Sequence, residues 1–482
     1  MNFFTSISTP AYLIIAVAYF ITIVSIIGIV ISENRNPVKS LAWITVLLLL
    51  PAVGIILYVF FGRSLKSERM ISRRNKRKLL RSRKNYKINL KDLPLPDSSK
   101  QLIKLGKSLT GNNIVLCNSL KIFTTGREKF DYLIADISKA REYINIEYYI
   151  FENDRIGNEL RDALIAKALE GVKVRIIYDH VGCFHVKSSF YSEMRDAGID
   201  IMPFMKVTFP QFATHLNWRN HRKLVIIDGK VGYIGGMNIA DRYVYEAKGR
   251  KPAWRDTHLR VTGSIVAELQ YSFAIDWNFM KQPLLDDDTV HDTASHDHTK
   301  QHYAQFIGSG PMGQWSNISV MMCHAISAAK QSLFIQTPYF IPTETLLSAL
   351  QTAALSKVDV RLMIPRHGDS KILTLASFSF IKSCLNAGIK VYLYEPGMLH
   401  AKSMVVDNEM FTTGSANFDF RSIECNFECN LFVYDQEIAQ AAKDIFMQDL
   451  ENSTRIVSST WRKRPILQMA LESFVRLFSP IL

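Results

Sequence analysis

The reading turns on two octets, His221-Arg-Lys-Leu-Val-Ile-Ile-Asp228 and His400-Ala-Lys-Ser-Met-Val-Val-Asp407. In each, a histidine and a lysine two positions apart lead an apolar run that ends in aspartate. Strand alternation puts His221, Lys223 and Val225 on one face, so that one imidazole and one ammonium project together. That pair suits a phosphoryl centre: the ammonium neutralises the equatorial oxygens while a neutral imidazole nitrogen attacks phosphorus. A turn of small residues ending in asparagine follows each octet, Gly235-Gly-Met-Asn238 and Gly414-Ser-Ala-Asn417. One octet alone is weak evidence; two at equivalent places in a repeat are strong.

The sequence around the octets is duplicated. Ile137-Ser-Lys-Ala-Arg141 leads into Tyr143-Ile-Asn-Ile-Glu-Tyr-Tyr149, as Ile326-Ser-Ala-Ala-Lys330 leads into Leu333-Phe-Ile-Gln-Thr-Pro-Tyr339. Val172-Lys-Val-Arg-Ile-Ile-Tyr178 answers to Val358-Asp-Val-Arg-Leu-Met-Ile364, and Ala197-Gly-Ile-Asp-Ile201 to Ala387-Gly-Ile-Lys-Val391. Short apolar strands alternate with amphipathic helices, the pattern of an α/β sandwich. Two such halves are expected to pack about a pseudo-two-fold axis, bringing equivalent loops to a shared interface. Glu147, Tyr149, Gln336 and Tyr339, at strand ends, either face that cleft or pack the interface.

Upstream, Ala11 to Ile31 carries no charge, and a second uncharged run extends from Leu41 to Gly62. Each is long enough to cross a hydrocarbon core of about 30 Å as a helix, which predicts a transmembrane hairpin. Pro51 and Gly54 either kink the second helix or make it re-entrant. A cleaved signal peptide fits worse, since Met1 to Pro10 has neither Lys nor Arg. Next come Arg63, Lys66, Arg69, Arg73, Arg74, Lys76, Arg77, Lys78, Arg81, Arg83, Lys84 and Lys87, opposed only by Glu68. This segment supplies much of the formal net charge of +14. The positive-inside rule keeps it cytoplasmic and leaves only the Ser32 to Ser40 loop outside. Its place beside the membrane favours attraction to anionic lipid over binding of nucleic acid, alongside a plain role as topology determinant.

His221, Lys223, Asp228 and Asn238, with His400, Lys402, Asp407 and Asn417, resemble the paired HKD motifs of the phospholipase D superfamily. Within it, Arg219-Asn-His-Arg-Lys223, Trp254-Arg-Asp-Thr-His258 and Gly414-Ser-Ala-Asn-Phe-Asp-Phe-Arg-Ser422 resemble bacterial-type cardiolipin synthases, as do Arg35-Asn-Pro37, Leu41-Ala-Trp43 and Tyr58-Val-Phe-Phe-Gly62. The likeness covers nearly the whole chain. It implies two tandem phospholipase D-like repeats and a metal-independent ping-pong reaction in which two phosphatidylglycerol molecules become cardiolipin and glycerol. One histidine attacks the phosphodiester; the other protonates the departing alcohol and later deprotonates the acceptor. Family habit gives the attack to His221, although a symmetric site leaves the assignment open. Lysines and asparagines contact phosphate oxygens, while Asp228 and Asp407, counted with the catalytic motifs, mainly support structure. An acidic residue downstream of each histidine fixes its tautomer, and Asp256 and Glu428 occupy the matching places. The implied partners are phosphatidylglycerol and anionic membrane lipids, with no nucleic acid, no cofactor and no metal; a homo-oligomer is left open. The implied location is the inner (cytoplasmic) membrane, multi-pass, with the catalytic domain in the cytoplasm. The same chemistry serves hydrolases and other phosphatidyltransferases, and a catalytically silent membrane scaffold is the non-enzyme alternative.

The expected layout is a transmembrane hairpin over 1–62, a basic juxtamembrane segment and linker over 63–110, a first repeat over 111–285, an inter-repeat loop over 286–305, a second repeat over 306–455 and an amphipathic C-terminal helix over 456–482. The acidic and His-rich tract from Asp286 to His302 reads as a solvated loop rather than a metal site. The six cysteines form no CxxC pair and read as reduced packing residues. Leu467, Ala470, Leu471, Phe474 and Phe478 share one helical face, which is expected to dock on the protein, with the membrane as the other candidate.

Overall fold

The computed structural model describes residues 9–32, 37–58, 62, 65–66, 68–82, 88–208, 217–246, 252–285 and 302–480. The chain divides into two compact units, 1–65 with 207–217, and 66–206 with 218–482.

In the smaller unit the first apolar run is helical over Thr9–Ser32. The second is broken into Pro37–Leu49 and Pro51–Leu57. Leu50 leaves the helical region (φ −127°, ψ 69°), because Pro51 supplies no N–H to the preceding turn and disfavours a helical residue before it. Gly54 lets the two pieces close together, since a Cβ there would lie 2.8 Å from the Val46 carbonyl oxygen. Val30, Leu47 and Tyr58 form a small core, with the Trp43 ring set edge-on to Tyr58. Among the described residues no helix is long and apolar enough to cross a membrane.

Among the described residues the larger unit carries sixteen strands in two sheets. In chain order they are β1 (Val115–Cys117), β2 (Ser119–Phe123), β3 (Tyr143–Tyr148), β4 (Lys173–Asp179), β5 (Asp200–Phe204), β6 (Lys223–Ile227), β7 (Val231–Gly235) and β8 (His258–Thr262), then β9 (His302–Ser309), β10 (Ser332–Gln336), β11 (Asp359–Pro365), β12 (Lys390–Tyr394), β13 (Ser403–Val406), β14 (Met410–Gly414), β15 (Glu428–Tyr434) and β16 (Ser453–Arg455). One sheet runs β2-β8-β7-β6-β3-β4-β5; the other runs β9-β15-β14-β13-β10-β11-β12 between β1 and β16 at its edges. The two orders are the same path traced twice. The duplication legible in the sequence is therefore a duplication of topology, with parallel pairs β3/β4/β5 and β10/β11/β12 joined by crossover helices. Registers correspond as well: Ile144 pairs with Ile227 where Leu333 pairs with Val406.

One segment departs from the expected layout. β1 pairs with β9 and so belongs to the second sheet, and helix Asp97–Thr110 puts Leu102 and Ile103 into the second repeat's core. Its apolar face has a partner there, and the chain passes to the first sheet only after Asn118. The tract from 286 to 301 lies outside the described residues; His302 belongs to β9, where it is paired with Asp435 at 2.9 Å. All six cysteines are free, four of them buried.

Helix Ile466–Arg476 rests on helix Lys371–Ala387, but by a face other than the one its apolar pattern suggests. Glu472 is buried and held by both guanidinium nitrogens of Arg464 at 2.6 and 2.9 Å, while Val475 packs on the core and the Arg476 guanidinium lies over Phe380. Leu467, Leu471, Phe474 and Phe478 are left exposed.

Candidate active site

Each octet folds as a strand closed by a tight turn, and the turn explains its aspartate. Asp228 (φ 51°) with Gly229 (φ 60°), and Asp407 (φ 50°) with Asn408 (φ 57°), take left-handed conformations in the three-residue loops between β6 and β7 and between β13 and β14, each closed by a 2.9 Å hydrogen bond, from Lys230 N–H to the Ile227 carbonyl and from Glu409 N–H to that of Val406. From there Asp228 accepts hydrogen bonds from the backbone N–H groups of Arg141, Glu142 and Tyr143 at 2.9, 2.8 and 3.0 Å. Asp407 does the same for Lys330, Gln331 and Ser332 at 2.7, 2.7 and 2.8 Å. Both carboxylates stand at the far end of their strands from the histidines. They are removed from the set of reacting groups.

The histidines stand where the repeats meet. His221 N–H donates to the Phe427 carbonyl and Phe427 N–H to that of Arg219, both at 2.9 Å; correspondingly, Arg255 N–H donates to Met398 at 3.0 Å and His400 N–H to Arg255 at 2.6 Å. These bridges join the residue preceding each histidine to the residue preceding the other repeat's acid. The pairing of acids is therefore crossed. His221 Nδ1 lies 3.0 Å from Glu428 and 3.1 Å from the Ser415 carbonyl, and His400 Nδ1 lies 2.6 Å from Asp256 Oδ2. Chain order suggests that each acid serves the histidine upstream of it. The structure couples each to the histidine of the other repeat, and all four groups are buried.

The small-residue turns make room for these acids. A Cβ at Gly236 would collide with the Asp256 carboxylate. At the matching place Ser415 turns its hydroxyl to Glu428 and accepts the Cys429 N–H at 3.0 Å. Lys223 Nζ donates to the His221 carbonyl at 2.6 Å, and Lys402 Nζ to that of His400. Lys402 Nζ also lies 2.7 Å from His400 Nδ1, whose single proton goes to the Asp256 carboxylate. Asn238 accepts the Ile150 N–H at 3.3 Å and donates to the Tyr243 hydroxyl at 2.9 Å. Asn417 donates to Asp419 at 2.7 Å, and its Oδ1 is buried without a partner.

Burial sets the electrostatics. It lowers His221 below the usual histidine range, with Lys223 and Lys402 adding to the effect against Glu428. Burial, with Lys402, takes His400 down to about 3. It also takes Lys223 down to about 7 and Lys402 down to about 8, each partly restored by nearby carboxylates. Burial pushes Asp256 and Glu428 up, but the former's Lys402 and His400 neighbours and the latter's His221 outweigh it, so both stay ionised. Both rings are thus neutral in the empty site, with Nδ1 committed and Nε2 uncommitted. The charge of each lysine acts on the histidine of the other repeat, which makes the two octets one site.

Tyr149 meets the His221 ring edge-on at 4.9 Å between centroids. Trp254, Tyr243 and Tyr339 surround His400 at 5.3, 5.6 and 6.4 Å. Glu147 and Gln336 lie beneath instead: Glu147 is held by Asn220 at 2.5 Å, and Gln336 by Asp449 at 2.7 Å and Ser403 at 3.0 Å. Sequence reasoning did not find Ser415, Tyr243 or the buried Arg222–Asp276 ion pair that anchors the strand carrying Glu428. Ser415 was signalled by its place in the repeated turn; Tyr243 was not signalled. Among the described residues no cluster of His, Cys, Asp and Glu is arranged to hold a metal ion.

The family model described as cardiolipin synthase, PLD-like domain, matches residues 133–252 and 322–450, one copy for each repeat. The chain belongs to the cardiolipin synthases of the phospholipase D superfamily. It is 38% identical to the major cardiolipin synthase of Bacillus subtilis (strain 168), over 98% of this chain and 99% of that one. It is equally identical to the cardiolipin synthase of Listeria monocytogenes serotype 4b, over 96% and 99%. A phospholipase D-nuclease N-terminal model matches residues 17–63. Phosphatidylserine synthase from Haemophilus influenzae superposes with a TM-score of 0.60 at 14% identity, covering 79% of this chain and 100% of that one, a likeness of fold alone. As a member of this family the chain is a phosphatidyltransferase.

Proposed function

We propose that the chain joins two phosphatidylglycerol molecules into cardiolipin and glycerol in two steps. His221 Nε2 attacks the phosphorus of the first lipid, a P–N bond forms, and the P–O bond to the glycerol headgroup breaks. His400 Nε2–H gives its proton to the departing oxygen. A headgroup hydroxyl of the second lipid then gives its proton to His400 Nε2 and attacks phosphorus, and the P–N bond breaks. Lys223, Lys402, Asn238 and Asn417 hold the phosphate oxygens, and the bound phosphodiester, being an anion, raises His400 so that it can carry the proton. The observation that carries this reading is the crossed pairing, which commits Nδ1 of both rings to carboxylates and leaves both Nε2 atoms to face substrate. No ion is required, because the lysines already meet the phosphate charge.

The reading extends to the rest of the chain. Residues 1–62 form a two-helix membrane hairpin whose uncharged runs match the hydrocarbon thickness, and the basic segment after it keeps the catalytic unit on the cytoplasmic side of the inner membrane, near anionic lipid. The layout follows with the membrane segment ending near 62, the first repeat running from about 118 to 285 and the second from about 302 to 455. Presenting the site to lipid at high local concentration favours a lipid hydroxyl over water as acceptor.

Purified full-length protein incubated with phosphatidylglycerol in mixed micelles should yield cardiolipin and glycerol, in chelator as well as without it. His221→Ala or His400→Ala should abolish both products. Phosphatidic acid as sole product would make the chain a hydrolase, DNA cleavage without lipid turnover would make it a nuclease, and wild-type activity in either variant would sink the two-histidine mechanism.

A further inference from the structure

The two halves of the site match in topology but not in charge. Beside His221, Tyr149 lies in the field of Arg219 and Arg421. The carboxylate that acts on Tyr149, Asp179, is fully engaged: it accepts from Asn220 N–H at 2.9 Å, Val181 N–H at 3.0 Å, Gly182 N–H at 2.8 Å and Arg219 at 3.2 Å. Beside His400 the matching tyrosine, Tyr339, donates to both carboxylate oxygens of Asp369 at 2.8 and 2.9 Å. Asp419, next to it, is buried and committed to Ser422 N–H and Asn417. Asp369 is different. It is exposed, it forms no ion pair among the described residues, and its charge is felt at Lys402 and Tyr243 inside the site. Tyr339 spans the gap between it and the His400 ring.

An unpaired carboxylate at the rim of a site that receives an anionic phosphodiester repels its own substrate. Its compensating property is that it accepts hydrogen bonds and donates none. A polyol entering from water brings hydroxyl protons that need acceptors, and a charged acceptor is a strong one. We propose that Asp369, steered by Tyr339, is the acceptor for the remaining hydroxyls of the glycerol headgroup whose reacting oxygen lies at His400, both when it departs and when its successor attacks. The assignment rests on the reading of His400 as the group that serves the alcohol. It deepens that reading by giving the site a means of preferring a polyol to water, which has no second hydroxyl to offer Asp369.

The test is acceptor choice in the full-length protein with phosphatidylglycerol in mixed micelles, with glycerol and propan-1-ol supplied in competition as deuterated alcohols. In Asp369→Ala the ratio of glycerol to propan-1-ol product should fall about tenfold, and the share of phosphatidic acid should rise, whatever happens to the first step that both acceptors share. Tyr339→Phe should give a smaller shift in the same direction. If Asp369→Ala leaves the ratio of the two products unchanged, the subsite assignment is wrong. If the wild type makes neither cardiolipin nor a product with either alcohol, the proposed transfer itself has failed, so the two failures are distinct.

Discussion

At the scale of single residues, the crossed pairing assigns each acid to one half of the reaction. Glu428 orients the proposed nucleophile and Asp256 the proposed acid and base. Glu428→Gln and Asp256→Asn should each lower kcat on phosphatidylglycerol by about 10² to 10⁴, the range seen when the partner of a catalytic histidine loses its charge. They should part on phosphatidyl-p-nitrophenol, whose leaving group needs no proton: Asp256→Asn should still give a burst of nitrophenol, and Glu428→Gln should not. Equal bursts in rapid-mixing experiments would count against the crossed roles. The lysines add a pH signature. With Lys223 near 7 and Lys402 near 8, their charge is nearly complete only below about pH 6 and is lost as pH rises through these values. The KM for phosphatidylglycerol should therefore climb between about pH 7 and about pH 9 while kcat changes less. A flat KM profile would mean that the lysines stay charged throughout.

At the scale of elements, the motif aspartates are turn residues that staple a hairpin to the strand beside it. Asp228 serves three N–H groups in a partly buried setting, whereas two of the three bound by Asp407 are exposed to water. Asp228→Ala should cost about 2–4 kcal/mol of stability, because buried donors lose a charged acceptor, and Asp407→Ala about 1 kcal/mol, because water replaces it. Urea unfolding of the two variants checks the order. The fraction that remains folded should keep its kcat, which a reacting group could not do. The C-terminal helix teaches a related point: an amphipathic pattern shows that a face exists, and the Arg464–Glu472 pair decided which face turned inward.

At the scale of the whole molecule, residues 66–206 with 218–482 form a unit with its own cores. Protein lacking residues 1–62 should unfold cooperatively and resist protease; an insoluble or readily digested product would show that the N-terminal helices belong to the fold. Neither repeat should be active alone, since each would carry a histidine without its acid. The sequence by itself determined the duplication, the strands and both octets, because hydrophobic alternation and side-chain chemistry are local and are written twice in register. What only the tertiary structure decided depends on contacts between distant segments: the crossing of the acids, the capture of β1 by the second sheet, the inward face of the last helix and the unequal charge of the two halves. The physical reason is that local pattern fixes which way a side chain points within its own strand, while the group it meets is set by the backbone bridges at Asn220–Phe427 and Arg255–Leu399, which join segments far apart in the chain.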